Sequence, residues 1–379
     1  MTNRHRLTVI YYHSVGPVKP DWEKSFLTVS TELFEKHLVW LGRRYTTISP
    51  GEYLKIRTGE MPPVKNPLLI TFDDGYLDNW VYAFPLLKKH GMKATIFVSP
   101  EFVDKRAGCR PNSEERAVDS GSDGTIPGWG FLSWDEMRIM QDSGLIDIQS
   151  HSLTHTKYFV SERLTGFHHP GGNILYPAIN AHPEIKPYYI GMPDLGSVLP
   201  YGFPLFEERP ALVARKVEIN PDFIDECVAL FRDFDFDSYD PEAAFRLAQP
   251  LYEAYCAGDR LIVGRETDQE YDDRVTREIT LSREIIGEKL GKSVDFLCWP
   301  HGANNDFLHR KALEAGYRMT TTGKARGVRR DDVTRIPDRA VVDLSSPVKR
   351  ARTRFRMRAF SGQAPWYQLL NISRRVRNI

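Results

Sequence analysis

Leu68-Leu-Ile-Thr-Phe-Asp73-Asp74-Gly75 is a short apolar and β-branched run that ends in two adjacent carboxylates and a glycine. Leu68–Phe72 is continuous rather than alternating, as strands covered on both faces are. The two acids therefore fall at the C-terminal end of a strand, where parallel α/β architectures collect their reactive side chains. Neighbouring residues on an extended strand point to opposite faces. Both acids can serve one centre only if the chain turns, and Gly75 makes such a turn feasible.

Leu7-Thr-Val-Ile-Tyr-Tyr and Ala94-Thr-Ile-Phe-Val read as strands of the same kind. Helical patterns lie around them. Thr31–Leu41 places Leu33, Phe34, Leu38 and Leu41 on one face behind a Ser30/Thr31 cap. A second helix is expected from about Asp78 to Lys89, stopping at His90-Gly91. A third starts at Ser133, with Glu136 at N3, and ends near Gly144 before the strand Leu145–Gln149. This alternation predicts parallel strands with helical crossovers, in an α/β barrel or an open sheet. It fails between about Lys157 and Gly264, a stretch rich in Pro, Gly and aromatics. It resumes with a helix at Asp273–Leu290, a strand at Val294–Trp299 and a helix at Asn305–Ala315. We expect one α/β domain over 1–348, with 157–264 inserted as a cap or subdomain, and a tail over 349–379.

The chain has 379 residues, 41% hydrophobic and 27% charged, as soluble enzymes do. Its net charge of +1 conceals an asymmetry: residues 349–379 hold nine Lys or Arg and no acid, so +1 − 9 leaves −8 on residues 1–348. The cysteines 109, 227, 256 and 298 form no CxxC pair, which argues against a cysteine zinc site and fits a reducing compartment. Met1–Arg6 leads into a short strand rather than an apolar leader, and no run is long and apolar enough to span a membrane. A cytoplasmic location is the expectation.

His151-Ser-Leu-Thr-His155 lies just past the Leu145–Gln149 strand, at the same end of the architecture as Asp73 and Asp74. Two imidazoles four residues apart can face one point. With one carboxylate they form a facial set suited to a divalent ion with open positions. The other carboxylate can then stay unligated and accept a proton from water. Either segment alone also fits a plain turn or ordinary surface histidines. Their joint placement at two strand ends favours a metal centre.

Both segments resemble the signature of the polysaccharide deacetylase family (the NodB-homology domain, carbohydrate esterase family 4). Ile10-Tyr-Tyr-His-Ser-Val-Gly16, Leu68–Asn79 and Phe84–Val98 are similar to the branch that includes poly-N-acetylglucosamine deacetylases. Cys298-Trp-Pro-His-Gly302 resembles its third motif and Arg335-Ile-Pro-Asp-Arg339 its later arginine strand. The likeness covers about 7–155 and 273–340. It implies a distorted (β/α) barrel of about seven strands. It implies that Asp74, His151 and His155 ligate a divalent metal, zinc first with Mn, Co, Ni or Fe as alternatives, and that Asp73 is the general base. Water would attack the amide carbonyl of an N-acylated sugar, with the backbone N–H near Trp299, and Tyr76, at the substrate and oxyanion. The late Leu-x-His that often supplies the general acid is absent, for Ala340-Val-Val-Asp-Leu follows Arg339. His13 and His301 are the candidates to replace it, and Arg339 or Arg335 to orient Asp73. Cys298 stands where an arginine is common. The rival functions are a sugar-binding protein of the same fold without turnover, and a hydrolase of another non-peptide C–N bond.

The inserted stretch is expected to cap the metal and to offer Tyr188, Tyr189, Tyr201 or Phe203 for sugar stacking. A closed cap favours a small or terminal sugar. The tail pairs Lys349–Arg358 with Trp366-Tyr-Gln-Leu-Leu-Asn-Ile, a combination suited to an anionic membrane surface and hence to a lipid-linked sugar. No nucleic-acid partner is expected.

Overall fold

The computed structural model describes residues 7–18, 22, 24–114, 129–192, 195–324 and 332–377, with side chains to residue 372. Met1–Arg6 and the side chains of Arg374, Arg375 and Arg377 lie outside the described residues. Contacts divide the chain into one unit of Met1–Leu153 with Ile279–Ile379 and a second of Thr154–Glu278.

The first unit is built on seven parallel strands: β1 (Thr8–Tyr12), β2 (Pro67–Phe72), β3 (Ala94–Val98), β4 (Ile146–Ser150), β5 (Phe296–Leu297), β6 (Met319–Thr321) and β7 (Arg335–Ile336). Each pairs with the next in sequence, and the short strand Thr46–Thr47 adds to the start of β2. Past β7, Ala340 bridges Ile10 of β1: its N–H donates to Val9 O at 2.8 Å and its carbonyl accepts from Tyr11 N–H at 3.2 Å. That bridge brings the last segment back to the first strand, in a distorted (β/α) barrel of the expected kind.

Side-chain alternation sorts the strand residues. Leu7, Val9, Leu69, Phe97, Phe296, Cys298, Met319 and Ile336 share one buried cluster. The alternate residues Tyr12 and Phe72 instead meet Phe34 of the Thr31–Gly42 helix at 5.1 and 5.9 Å between ring centres. Fully burying one such side chain stabilises by roughly 1.5–3 kcal/mol.

The local helix signals hold. Ser30 Oγ caps Leu33 N–H, and Ser133 with Glu136 forms a reciprocal capping box on Trp134–Asp142. Two expectations change in detail. The Asp78–Lys89 helix opens as a π-helical turn, Asn79–Ala83, before α-helical Phe84–Lys89. Pro85 sits there without an N–H to donate, so the ordinary ladder cannot close. The Val294–Trp299 strand shrinks to Phe296–Leu297 because Gln149 Oε1 takes the N–H groups of Asp295 and Phe296, both at 3.0 Å.

The second unit is more ordered than its composition suggests. Lys157–Phe167 pairs antiparallel with Pro204–Pro210, and Val217–Ile219 with Ile262–Arg265. Helices Pro221–Leu230 and Pro241–Ala257 each start with proline behind an Asn220 or Asp240 side-chain cap. Phe167, Phe206, Phe223, Phe231 and Tyr255 centre a separate core. The helix expected at Asp273 begins at Asp268 and runs to Leu290.

Two buried histidines make the fold acid-sensitive. Burial pushes His37 down to about 4 and His309, helped by Arg335, also to about 4. His37 receives or gives one hydrogen bond with Tyr12 Oη at 3.1 Å, and His309 sits between Thr320 and Thr334. Unfolded imidazoles titrate near pH 6.5. Below that pH the unfolded chain binds protons that the folded protein refuses until about 4. Stability is therefore complete above this window and falls as the pH drops through it, by up to about 3 kcal/mol for His37 and less for His309. Urea midpoints should fall between pH 7 and 4.5, and His37→Asn with His309→Asn should flatten the slope. An unchanged slope in that double variant would refute the assignment.

Candidate active site

Strand parity and one backbone reversal assemble the site. Asp73 continues the inward series Leu69, Thr71, and its N–H donates to Tyr12 O at 3.0 Å. Arg339 Nη1 and Nη2 grip its Oδ1 and Oδ2 at 2.6 and 2.8 Å. Cys298 Sγ lies 3.6 Å from Oδ1 and His13 Nε2 lies 3.9 Å from Oδ2. Burial acts to raise the Asp73 pKa, but the Arg339 guanidinium outweighs it and holds the carboxyl below the usual carboxylate range. Asp73 is thus a buried, ionised and fixed carboxylate.

Asp74 should face away from this group, yet it does not. Its φ of 73° is left-handed, and Gly75 follows at 70°. The reversal brings Asp74 Oδ1 to 3.3 Å from His151 Nε2. Gly75 has no substitute here, since a Cβ would lie 2.8 Å from Val98 Cγ1.

His151 leaves β4 with its N–H on Val98 O at 2.8 Å. Its Nδ1 lies 2.7 Å from the Cys298 carbonyl, which only accepts, so Nδ1 carries the proton and Nε2 is turned to Asp74. Burial lowers the His151 pKa, but Cys298, Asp74 and Asp73 more than offset this and hold it well above the usual value. A cation beside Nε2 would displace the second proton. His155, at φ 41°, completes the set.

Donor atoms of Asp74, His151 and His155 lie within 4.8 Å of one another. Two imidazoles and one carboxylate fit a divalent metal with positions left for water and substrate. Asp73, His151 and Cys298 form a second such group. That one is the poorer fit, because the Arg339 cation already holds Asp73 at 2.6 Å.

Other expected residues divide. Arg339 orients Asp73, while Arg335 does not: its contacts are Asn304 Oδ1 at 3.0 Å, Thr320 Oγ1 at 3.4 Å and Asp306 at 3.6 Å. His13 stands beside Asp73. His301 sits in the turn Pro300–Gly302 at φ 56°, and neither donor group includes it. The Trp299 amide is not free for an oxyanion, since it donates to Thr321 Oγ1 at 3.2 Å, and the Trp299 ring is wholly buried. Tyr76 also corrects the expectation of a substrate surface. Its ring is core, stacked 5.2 Å from Phe131 and edge-on to Trp22. Among the inserted aromatics, Tyr189 is buried, while Tyr201 and Phe203 line a cavity of about 540 Å³ within the second unit. Sequence reasoning overlooked Cys298 as a neighbour of Asp73. The pairing Leu297↔Ser150, which sets Cys298 next to His151, was the signal needed.

Residues 60–169 match the family profile described as polysaccharide deacetylase. Over that segment the chain is similar to the polysaccharide deacetylase family. Among curated proteins it is 33% identical over 151 residues to YxkH of Bacillus subtilis strain 168, a candidate polysaccharide deacetylase, covering 40% of this chain and 43% of that one. It is 24% identical over 158 residues to the poly-β-1,6-N-acetyl-D-glucosamine N-deacetylase of Escherichia coli K12, covering 41% of this chain and 22% of that one. The match thus spans less than half the length of either relative. The deacetylase domain of BpsB from Bordetella bronchiseptica shares the fold, with a TM-score of 0.51 at 21% identity over 90% of this chain and 97% of that one. The segment that matches the family profile contains Asp73, Asp74, His151 and His155.

Proposed function

We propose that this protein is a member of the polysaccharide deacetylase family and a metal-dependent hydrolase that removes an N-acyl group, in the first instance N-acetyl, from an amino sugar. The observation that carries the reading is the division of two adjacent carboxylates. Asp74 is turned toward His151 and His155, while Asp73 is held by Arg339 outside that set. Asp74, His151 and His155 would hold the cation, zinc being the first candidate. When bound, it would supply Lewis-acid polarisation of the amide carbonyl and a more acidic water.

Asp73 accepts the proton of the attacking water. The carbonyl carbon gains an oxygen, the C–N bond breaks, and the sugar amine leaves with a proton. His13, an imidazole outside the ligand set 3.9 Å from Asp73, is placed to deliver it. The products are a carboxylate and a free amine. The N-deacetylase activity for which the Escherichia coli relative is named supports an N-acetylated glucosamine unit as the substrate class.

The protein should release amine from N-acetylated glucosamine oligomers. A chelator should abolish that activity, and Zn²⁺ or Co²⁺ should restore it. Release that survives complete metal removal would end the proposal.

We also propose that the two C-terminal helices, Pro347–Phe360 and Trp366–Arg377, contact an anionic membrane surface. Arg350, Arg352, Arg354 and Arg358 are exposed, as are Val348, Leu369 and Ile372. Phe355 and Arg358 pack on the Trp366 ring at 5.8 and 5.4 Å, joining the helices. No helix among the described residues is long and apolar enough to cross a membrane, so the contact would be peripheral. The protein should float with phosphatidylglycerol vesicles at low salt and be released by high salt. Failure to float would remove this idea.

A further inference from the structure

The segment ending in His155 carries two non-glycine residues in the left-handed region, Ser152 at φ 62° and His155 at φ 41°. Such conformations persist only where surrounding contacts over-determine them. The contacts here are unusually complete. Ser99 Oγ donates to His151 O at 2.9 Å, and Ser150 Oγ accepts from Ser152 N–H at 3.2 Å. Thr154, the residue before His155, is held on every polar group. Glu278 Oε2 accepts its N–H at 3.0 Å and Oε1 accepts its hydroxyl at 2.5 Å. Lys186 Nζ donates to its carbonyl at 3.3 Å. Just beyond His155, Thr156 donates its hydroxyl to Asn180 Oδ1 at 2.6 Å and accepts from Ala211 N–H at 2.9 Å.

Glu278 and Lys186 are each only 3% exposed. Burying a carboxylate and an ammonium is costly, and a turn with ordinary hydrogen-bonding needs can be satisfied by neutral groups. What the carboxylate adds is a pair of acceptor oxygens with fixed direction, one for each Thr154 donor. The helix that carries it makes a second, matching contact. Ser282, one turn after Glu278 and wholly buried, lies 2.7 Å from Ser150 Oγ. Ser150 directly precedes His151, and Thr154 directly precedes His155. Residues four apart on a helix stand one above the other. One helical face therefore grips the residue before each histidine.

We propose that Glu278 and Ser282 are positioning residues for the metal centre: the i,i+4 spacing on the Asp268–Leu290 helix sets the spacing and aim of His151 and His155, with Lys186 locking the Thr154 carbonyl. This rests on the reading that Asp74, His151 and His155 hold a cation. The residues touch neither metal nor substrate, so they act through the backbone ahead of each imidazole.

The test titrates Co²⁺ into the chelator-stripped full-length protein, reading affinity by competition with a chelating dye and geometry from the visible spectrum. Glu278→Gln keeps the shape but offers one acceptor oxygen to the two Thr154 donors. It should weaken Co²⁺ binding about tenfold or more and alter the visible band. Ser282→Ala and Thr154→Val should act in the same direction with smaller effect, and they serve if Glu278→Gln does not fold. Glu266→Gln is the control. It breaks a buried pair with Arg274 on the same helix, at 2.6 Å, without touching either histidine segment. It should lower the urea midpoint yet leave Co²⁺ affinity and spectrum unchanged. Wild-type affinity and spectrum in Glu278→Gln, or in both smaller variants, would overturn the proposal. Failure of the unaltered protein to bind Co²⁺ would instead overturn the metal-centre reading beneath it.

Discussion

Asp73→Asn is expected to lower kcat for amine release by about a hundred- to ten-thousand-fold while leaving the bound metal in place. Asn keeps the volume and can still accept one hydrogen bond from Arg339, but it cannot take a proton from water. The proposed metal set is Asp74, His151 and His155, so its affinity should survive the change. His155→Ala should do the reverse and lose the metal along with the activity. Metal content of the purified variants, measured beside turnover, separates the two roles. An Asp73→Asn protein that keeps its turnover, or one that loses its metal, would remove Asp73 as the base.

The second large effect is on stability. Arg339→Met should destabilise the fold by about 3–5 kcal/mol, the scale seen when one partner of a buried ion pair is removed. Asp73 is 4% exposed, and both its oxygens are held by the guanidinium at 2.6 and 2.8 Å. Without it, a charge stays buried beside Cys298 with no equal partner. Arg339→Lys should rescue only in part, since an ammonium cannot reproduce the two-pronged geometry. The decisive measurement is a double-mutant cycle in urea. Asp73→Asn combined with Arg339→Met should be more stable than Arg339→Met alone, because the orphaned charge has gone. Additive losses would mean that the pair is not desolvated as its geometry implies. Arg339→Met alone should also lose turnover, since an Asp73 carboxylate free to rotate is no longer aimed.

Much of the architecture was legible without coordinates. Leu7–Tyr12, Leu68–Phe72 and Ala94–Val98 are continuous β-branched and aromatic runs, and each became a barrel strand. Ser133 with Glu136 announced a helix start and formed the capping box. Other signals of equal quality were present and unread. Asn220-Pro-Asp and Asp240-Pro-Glu open real helices inside a stretch that looked irregular, because proline and aromatics dominate its composition.

The sequence alone determined what propagates over a few residues: strand periodicity, helix caps, the position of two acids and two histidines at strand ends, and the resemblance those motifs carry. The tertiary structure decided where each acid points, Asp74 toward His151 and Asp73 onto Arg339. The left-handed turn at Asp74 is a backbone state tolerated only because the packed barrel imposes it. It also chose Arg339 over Arg335, seated Cys298 against Asp73 across 225 residues of chain, and closed the Trp299 amide on Thr321. Each of these depends on the register of distant strands and on desolvation inside a shared core. Those energies arise only when segments far apart in sequence are brought together.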